Sequence, residues 1–222
     1  MSAILFGSIG AIAETSELQR QAFNKAFERE GLDWHWSREE YMPLLQKSGG
    51  RQRIEDYAHS RGQSVDTEKL HQSKSQIFQN SLQEGELKPR LGVVETIHKA
   101  KQNGLNLAFV TTTSEQNVAS ILAALNSSFD TSAFDLVTTA AHVKQSKPSQ
   151  EVYLLALKKL GEQPDSCIAI EDNLGGVKAS KSAGISCVAF PGENTADHDF
   201  EAADWRVSHL DFDELMQFMA QR

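Results

Sequence analysis

The feature of this sequence that most constrains its fold is the regular alternation of short apolar segments with helical segments after residue 89. Apolar runs typical of buried strands cover residues 105–110, 135–138, 167–170 and 185–190. Apolar residues recur at helical spacing in residues 93–102, 115–125, 150–160, 174–183 and 211–219. Repeated strand–helix units of this kind predict a parallel sheet with helices on both faces, which is a doubly wound α/β core. One more strand is predicted at residues 3–6.

Residues 15–84 have a different pattern, with helical segments and no convincing strand. Helices are predicted at residues 17–30 and 37–47, from residue 51 onward, and at residues 66–82. Ser37 precedes the second of these helices and Glu40 follows three residues later, which predicts a capping box. The sequence therefore predicts an α/β core of residues 1–14 and 85–222, with a small all-helical cap of residues 15–84 inserted into it.

Composition excludes several classes of protein. A hydrophobic content of 40% with mixed charge is typical of a soluble globular chain. The net charge of −8 argues against a nucleic-acid partner, which favours a basic face. No apolar run approaches the roughly 20 residues that span a bilayer, and the first residues do not resemble a signal peptide. We therefore expect a cytoplasmic protein without a membrane partner, in which Cys167 and Cys187 are buried reduced thiols that bind no zinc.

Polar residues follow two of the predicted strands, and one more lies in a loop just before a helix, at the edge where ligands bind in sheets of this kind. Thr111 and Thr112 precede a helix, so their hydroxyls and the free backbone N–H groups can hold a phosphate. Lys147 can neutralise phosphate oxygens. Glu171 and Asp172 are adjacent carboxylates that suit Mg²⁺. The sequence thus predicts a phosphate and metal site at one edge of the sheet.

Each of these residues also has a purely structural interpretation. Thr111 is of a type that often caps helices, and Lys147 could lie in a surface loop. Asp172 or Asn173 could simply cap the helix that follows. The seven histidines are expected to be structural or solvated, and His71 is predicted to lie on a helix surface.

Taken in order, several segments resemble the haloacid dehalogenase superfamily. Residues 107–114, 143–157 and 171–184 look like its second, third and fourth motifs. Residues 31–36 and 44–51 are similar to the cap of the CbbY group, which comprises sugar-phosphate phosphatases of the β-phosphoglucomutase-like branch. The resemblance implies a small helical cap, Mg²⁺-dependent chemistry on a small phosphorylated metabolite, and a substrate loop in the cap at Gly49, Gly50 and Arg51.

The first motif of that superfamily is degenerate in this chain. The resemblance implies a nucleophilic, Mg²⁺-binding Asp at the position of Gly7 and an acid/base Asp at the position of Ile9. Gly7 can neither attack phosphorus nor bind metal, and Ile9 has no proton to give. Ser8 lies between them, and strand alternation predicts that its side chain points away from the face that Gly7 and Ile9 share. Deleting a nucleophile lowers kcat by about 10⁶-fold in a well-studied hydrolase.

Three hypotheses about function follow. The first is a catalytically impaired hydrolase-like protein that keeps a phosphate or phosphosugar pocket at Thr111 and Lys147 and binds Mg²⁺ only weakly. The second is an active Mg²⁺-dependent phosphatase that uses a displaced nucleophile or a metal-bound water at Glu171 and Asp172. The third is a non-catalytic regulatory or partner-binding subunit.

Overall fold

The structure, a computed structural model, describes residues 2–47 and 49–221, and within them six parallel strands form one sheet. The strand order is β3-β2-β1-β4-β5-β6. The strands are β1 (Ala3–Phe6), β2 (Asn106–Phe109), β3 (Leu136–Val137), β4 (Cys167–Glu171), β5 (Ser186–Ala189) and β6 (Trp205–Arg206). The predicted doubly wound α/β fold is confirmed. The two-residue β6 was not predicted, because so short a strand leaves no periodic pattern.

The central strand is buried on both sides, as its unbroken apolar sequence requires. All four residues of β1 are fully buried. Ile4 and Phe6 pack in the larger apolar cluster, whereas Ala3 and Leu5 pack in a second cluster. Since successive side chains of a strand point to opposite faces, β1 joins these two layers.

The helices agree with the predicted pattern to within a few residues at their ends. They are α1 (Ser16–Arg29), α2 (Arg38–Leu44), α3 (Gly50–Ser60), α4 (Thr67–Glu84), α5 (Val93–Gln102), α6 (Glu115–Leu125), α7 (Glu151–Leu160), α8 (Leu174–Ser182) and α9 (Phe212–Ala220). Helix α2 ends at Leu44, earlier than the predicted 47. Arg53 holds the chain that follows α2, since its guanidinium donates to the carbonyls of Leu44 and Lys47, at 3.0 Å each.

Helices α1 to α4 have an aromatic cluster of their own. Phe23, Phe27, Trp34, Trp36 and Tyr41 are buried in it. The predicted capping box of α2 is present, because the Ser37 hydroxyl accepts from the Glu40 N–H while the Glu40 carboxylate accepts from the Ser37 N–H. The division into a core of residues 1–14 and 85–222 and a cap of residues 15–84 stays a prediction, and its outermost residues, Met1 and Arg222, lie outside the described residues.

The ends of the central strands lie side by side at one edge of the sheet. The Gly7 N–H donates to the Ile170 carbonyl at 2.9 Å, and the Val110 N–H donates to the Phe6 carbonyl at 2.7 Å. The residues that follow β1, β2 and β4 are therefore neighbours, as the sequence predicted.

Two further expectations concern the rest of the chain. Cys167 and Cys187 are free and buried, as predicted. In the part of the chain that the structure describes, no helix is long and apolar enough to cross a bilayer. The cytoplasmic location stays a prediction.

Candidate functional site

A cavity of about 430 Å³ lies between this edge of the sheet and the helices α1 to α4. The structure brings nearly all of the predicted site residues to its walls: Gly7, Ile9, Gly49, Gly50, Arg51, Thr111, Thr112, Lys147 and Asp172. Glu171 is the exception, because it lies beneath the cavity floor and is fully buried. These predicted residues therefore line one cavity although they come from distant parts of the sequence.

The loop after β2 forms one wall of this cavity. Thr111 is buried, and its hydroxyl accepts from the Thr113 N–H at 3.2 Å. Ser114, not Thr111, is the N-cap of α6, because its hydroxyl accepts from the Asn117 N–H. The loop thus presents three threonine hydroxyls just ahead of a helix N-terminus, a surface that favours anions.

Lys147 supplies a buried positive charge on the floor of the cavity. Its side chain is only 5% exposed, so it does not belong to a surface loop. The ammonium donates to the Glu171 Oε1 at 2.6 Å, to the Val110 carbonyl at 2.8 Å and to the Gly7 carbonyl. These contacts fix the charge at the position where the strand ends converge.

The space beside Gly7 is already filled by other side chains. A Cβ atom at Gly7 would lie 2.1 Å from Glu171 Oε1 and 2.2 Å from the Tyr153 hydroxyl oxygen. Tyr153 is fully buried, and its hydroxyl donates to Glu171 Oε1 at 2.6 Å. Tyr153 was not predicted as a site residue, because a tyrosine at an apolar helix position gives no signal beyond that of core packing. Glu171 and Tyr153 together occupy the volume that a side chain at position 7 would need.

Glu171 is an unusual carboxylate because it has no exposure to solvent. Burial raises the pKa of Glu171, and the nearby Lys147 ammonium opposes that effect. Its Oε2 atom has no hydrogen-bond partner among the described residues. Gly176 faces this carboxylate so closely that a Cβ atom there would lie 2.0 Å from it. Protein atoms therefore shield the Glu171 carboxylate completely from solvent.

Ser8 points into the cavity, so the prediction from strand alternation was wrong. Its hydroxyl donates to Asp172 Oδ1 at 2.6 Å and accepts from the Ala11 N–H at 3.2 Å. The reason is that β1 ends at Phe6 and a 3₁₀ turn covers Ile9–Ala11, with Ser8 as its N-cap. Alternation no longer applies once the strand has ended.

The donor set at the strand ends does not fit Mg²⁺. Among the residues that the structure describes, no group of three or more His, Cys, Asp or Glu side chains could hold a metal ion. Glu171 Oε1 is taken by Lys147 and Tyr153, and Asp172 Oδ1 accepts from Ser8 and from the Asn173 side-chain amide at 2.7 Å. The predicted metal role of Glu171 and Asp172 stays a prediction of weak binding at most. Asn173 itself caps α8, as one of the structural interpretations proposed.

The opposite wall carries positive charge from the helices α1 to α4. Lys74 is buried, its ammonium donates to Gln19 Oε1 at 2.9 Å, and it lies 4.8 Å from the centre of the Phe23 ring. Burial lowers the pKa of Lys74 to about 7. Burial, with the nearby Lys74, lowers the pKa of His71 to about 4. His71 lies on α4, is half-buried and lines the cavity.

Arg51 and Arg53 complete this wall. Arg51 lines the cavity and also pairs with Glu68 at 3.1 Å on the exposed side, and its substrate-loop role stays a prediction. Arg53 lines the cavity too and was not predicted to do so. Among the described lining residues Asp172 is the one carboxylate, whereas lysine and arginine side chains come from both walls. The electrostatic balance of the cavity therefore favours an anionic ligand with charge at both ends.

Comparisons with known proteins agree with this arrangement. The family model for haloacid dehalogenase-like hydrolases matches residues 4–190. Protein CbbY of Rhodobacter capsulatus is 39% identical over 213 residues, which cover 95% of this chain and 94% of that protein. A crystal structure of CbbY from Rhodobacter sphaeroides in complex with phosphate has a TM-score of 0.86 and 38% identity, covering 97% of this chain and 96% of that one.

A second crystal structure of CbbY from Rhodobacter sphaeroides holds a mutant in complex with xylulose-(1,5)bisphosphate. It has a TM-score of 0.86 and 37% identity, and it covers 94% of each chain. This chain belongs to the haloacid dehalogenase-like hydrolase family. Within that family it is a member of the CbbY-like and β-phosphoglucomutase-like branch, as its motifs predicted.

Proposed function

We propose that this protein binds a small phosphorylated metabolite in the cavity and does not turn it over by the aspartyl-phosphate mechanism of its family. The observation that carries the proposal is the filled space beside Gly7. A nucleophilic carboxylate there would collide with Glu171 and Tyr153, whose oxygens lie 2.1 and 2.2 Å from the Cβ position. Ile9 in addition offers no proton to a leaving group. Thr111 and Lys147, which would contact the phosphate, both line the cavity.

The charge on both walls supports a ligand with two anionic groups. One phosphate would lie against the Thr111–Thr113 hydroxyls and Lys147, and the other against Arg51, Arg53 and Lys74. Gly49 and Gly50, for which the family resemblance implies a substrate loop, would border this second position. A xylulose bisphosphate bound to the Rhodobacter sphaeroides relative has two phosphates of this kind. A sugar bisphosphate is therefore the ligand class that we propose.

In the proposed site, lysine and arginine side chains neutralise the phosphates of the ligand. Mg²⁺ contributes at most weakly. Lys147 lies on the floor, where its ammonium is already held by two carbonyls and by Glu171. A lysine ammonium has three N–H groups, so Lys147 would exchange one of these three acceptors for a phosphate oxygen and form a charge-assisted hydrogen bond that needs no metal.

The experiment is a thermal-shift titration with inorganic phosphate and with xylulose-1,5-bisphosphate, in EDTA and then in Mg²⁺. A ligand at 100 times its Kd adds about 2.7 kcal/mol to the apparent free energy of unfolding. We expect both ligands to raise the Tm, the bisphosphate at lower concentration, and EDTA to leave both shifts nearly unchanged.

The matched variants are Lys147→Ala in the site and Lys178→Ala on the exposed surface of α8. We expect Lys147→Ala to reduce the shift and Lys178→Ala to keep it. If neither ligand shifts the Tm of the unmodified protein, the phosphate-binding proposal is wrong. Multiple turnovers of a sugar phosphate with Mg²⁺ would instead contradict the proposal that the protein does not hydrolyse its ligand.

A further inference from the structure

The Ser8–Asp172 pair has no role in the proposed binding function, although it lies in the same cavity. The Ser8 hydroxyl is half-buried at the cavity wall and donates to Asp172 Oδ1 at 2.6 Å. The carboxylate is oriented in turn by the Asn173 side-chain amide, which donates to the same oxygen at 2.7 Å. A hydroxyl, a base and a third group that orients the base are the components of an activated nucleophile.

The surroundings of this pair are those that a phosphoryl group would need. Ser8, Asp172, Thr111 and Lys147 line one cavity, and Lys147 also donates to the carbonyl of Gly7, the residue before Ser8. A phosphate held by the threonine hydroxyls and Lys147 would be next to the end of β1. The Ser8 hydroxyl donates to a carboxylate that itself lines the cavity, whereas Glu14, which accepts from the Ser16 hydroxyl, does not line it.

We propose that Ser8 accepts a phosphoryl group from acyl phosphates, with Asp172 as the base. The Ser8 Oγ forms a bond to phosphorus while the bond from phosphorus to the acyl oxygen breaks. The hydroxyl proton moves to the Asp172 carboxylate, and the acyl group leaves as a carboxylate that keeps the electron pair. Atoms and charge balance without metal, and the product is a phosphoserine at position 8. This inference rests on the proposed phosphate site.

The class of donor follows from the residue at position 9. Sugar phosphates leave as alkoxides, which need a proton as the bond breaks, and Ile9 cannot supply one. A carboxylate leaving group needs no such proton. Hydrolysis of the phosphoserine would have to expel the Ser8 oxygen as an alkoxide, a far poorer leaving group than the carboxylate of an acyl phosphate. The phosphoserine therefore accumulates, at one phosphoryl group per protein.

The experiment incubates the whole protein with acetyl phosphate in EDTA and follows the intact mass and the modified residue by mass spectrometry. We expect an increment of one phosphoryl group, located on Ser8, at no more than one per chain. Asp172→Asn keeps the geometry and loses the base, and general base catalysis contributes about 10²–10⁴-fold, so the rate of labelling should fall by at least about 100-fold. Ser60→Ala, an exposed serine at the end of α3, should label as fast as the unmodified protein.

Ser8→Ala removes the phosphoryl acceptor, but it also removes the cap of the 3₁₀ turn and could fold poorly. Asp172→Asn is the second test in that case. A label on other residues alone, no label, or unchanged labelling in Asp172→Asn would overturn the inference. A Tm shift with inorganic phosphate, measured on the same sample, separates the two proposals. If the shift is present without a label, the Ser8 inference alone is wrong; if both are missing, the phosphate site is wrong as well.

Discussion

A carboxylate restored at position 7 should destabilise this protein, because the space for it is taken. In Gly7→Ala the new Cβ atom would lie 2.1 Å from Glu171 Oε1 and 2.2 Å from the Tyr153 hydroxyl oxygen, so these buried groups have to move. Overpacking of this kind costs about 1–3 kcal/mol. Gly7→Asp adds a second carboxylate next to Glu171. Two like charges about 4 Å apart repel by about 4 kcal/mol at an effective dielectric constant of about 20.

Lys147 offsets part of that repulsion, since its ammonium can contact both carboxylates. We therefore expect Gly7→Asp to lower the free energy of unfolding by about 3–5 kcal/mol, a large share of a typical total of about 5–15 kcal/mol. Urea denaturation followed by circular dichroism measures this loss for Gly7→Ala, Gly7→Asp and the unmodified protein.

The matched test is a double-mutant cycle with Tyr153→Phe, which removes the hydroxyl at 2.2 Å and keeps the ring. Groups in direct contact couple by about 0.5–3 kcal/mol, so the double variant should lose less stability than the sum of the single losses. Gly7→Asp with the stability of the unmodified protein, or losses that simply add, would refute the reasoning that Tyr153 and Glu171 fill the place of a nucleophile.

Three further predictions use the same cavity. The pKa of Lys74 is lowered from 10.5 to about 7, so the unfolded chain binds more protons between these values and stability should rise with pH across this window. Lys74→Met should remove this rise, on the order of 4 kcal/mol, from unfolding curves at pH 7 and pH 10. Mg²⁺ alone should not change the Tm up to millimolar concentration, and a clear increase would contradict the poor metal fit. The triple variant of Gly7→Asp, Ile9→Asp and Ala11→Thr should still release no phosphate from sugar phosphates with Mg²⁺, because Glu171 and Tyr153 occupy the place of the new carboxylate at position 7. Mg²⁺-dependent release of phosphate by this variant would contradict that reasoning.

The fold could be predicted from the sequence because its elements have clear periods. The buried strands at residues 3–6 and 167–170 read as unbroken apolar runs, and their carboxyl ends had to meet at one edge of a parallel sheet. This is why Thr111 and Lys147 could be assigned to one site although 36 positions separate them, the difference between 147 and 111. The capping box at Ser37 depends only on residues close together in the sequence, so it could also be predicted, and it was confirmed.

The parts that could not be predicted depend on geometry beyond these periods. Ser8 turns into the cavity because β1 ends two residues earlier, and no pattern in the sequence marks that end to within one residue. Tyr153 and Lys74 sit on helices, and only the packing of those helices decides that one reaches Glu171 and the other borders the cavity. Contacts between side chains of different helices and strands could therefore be identified only from the three-dimensional structure.

The central claim is that the cavity binds a phosphorylated metabolite that the protein does not hydrolyse by the chemistry of its family. The most direct measurement is a calorimetric titration of xylulose-1,5-bisphosphate in the presence of Mg²⁺, followed by assay of the recovered sample for free inorganic phosphate. We predict saturable binding to one site per chain, weakened by Lys147→Ala, with the ligand recovered intact. Release of many equivalents of phosphate per protein, or no binding at all, would contradict the claim.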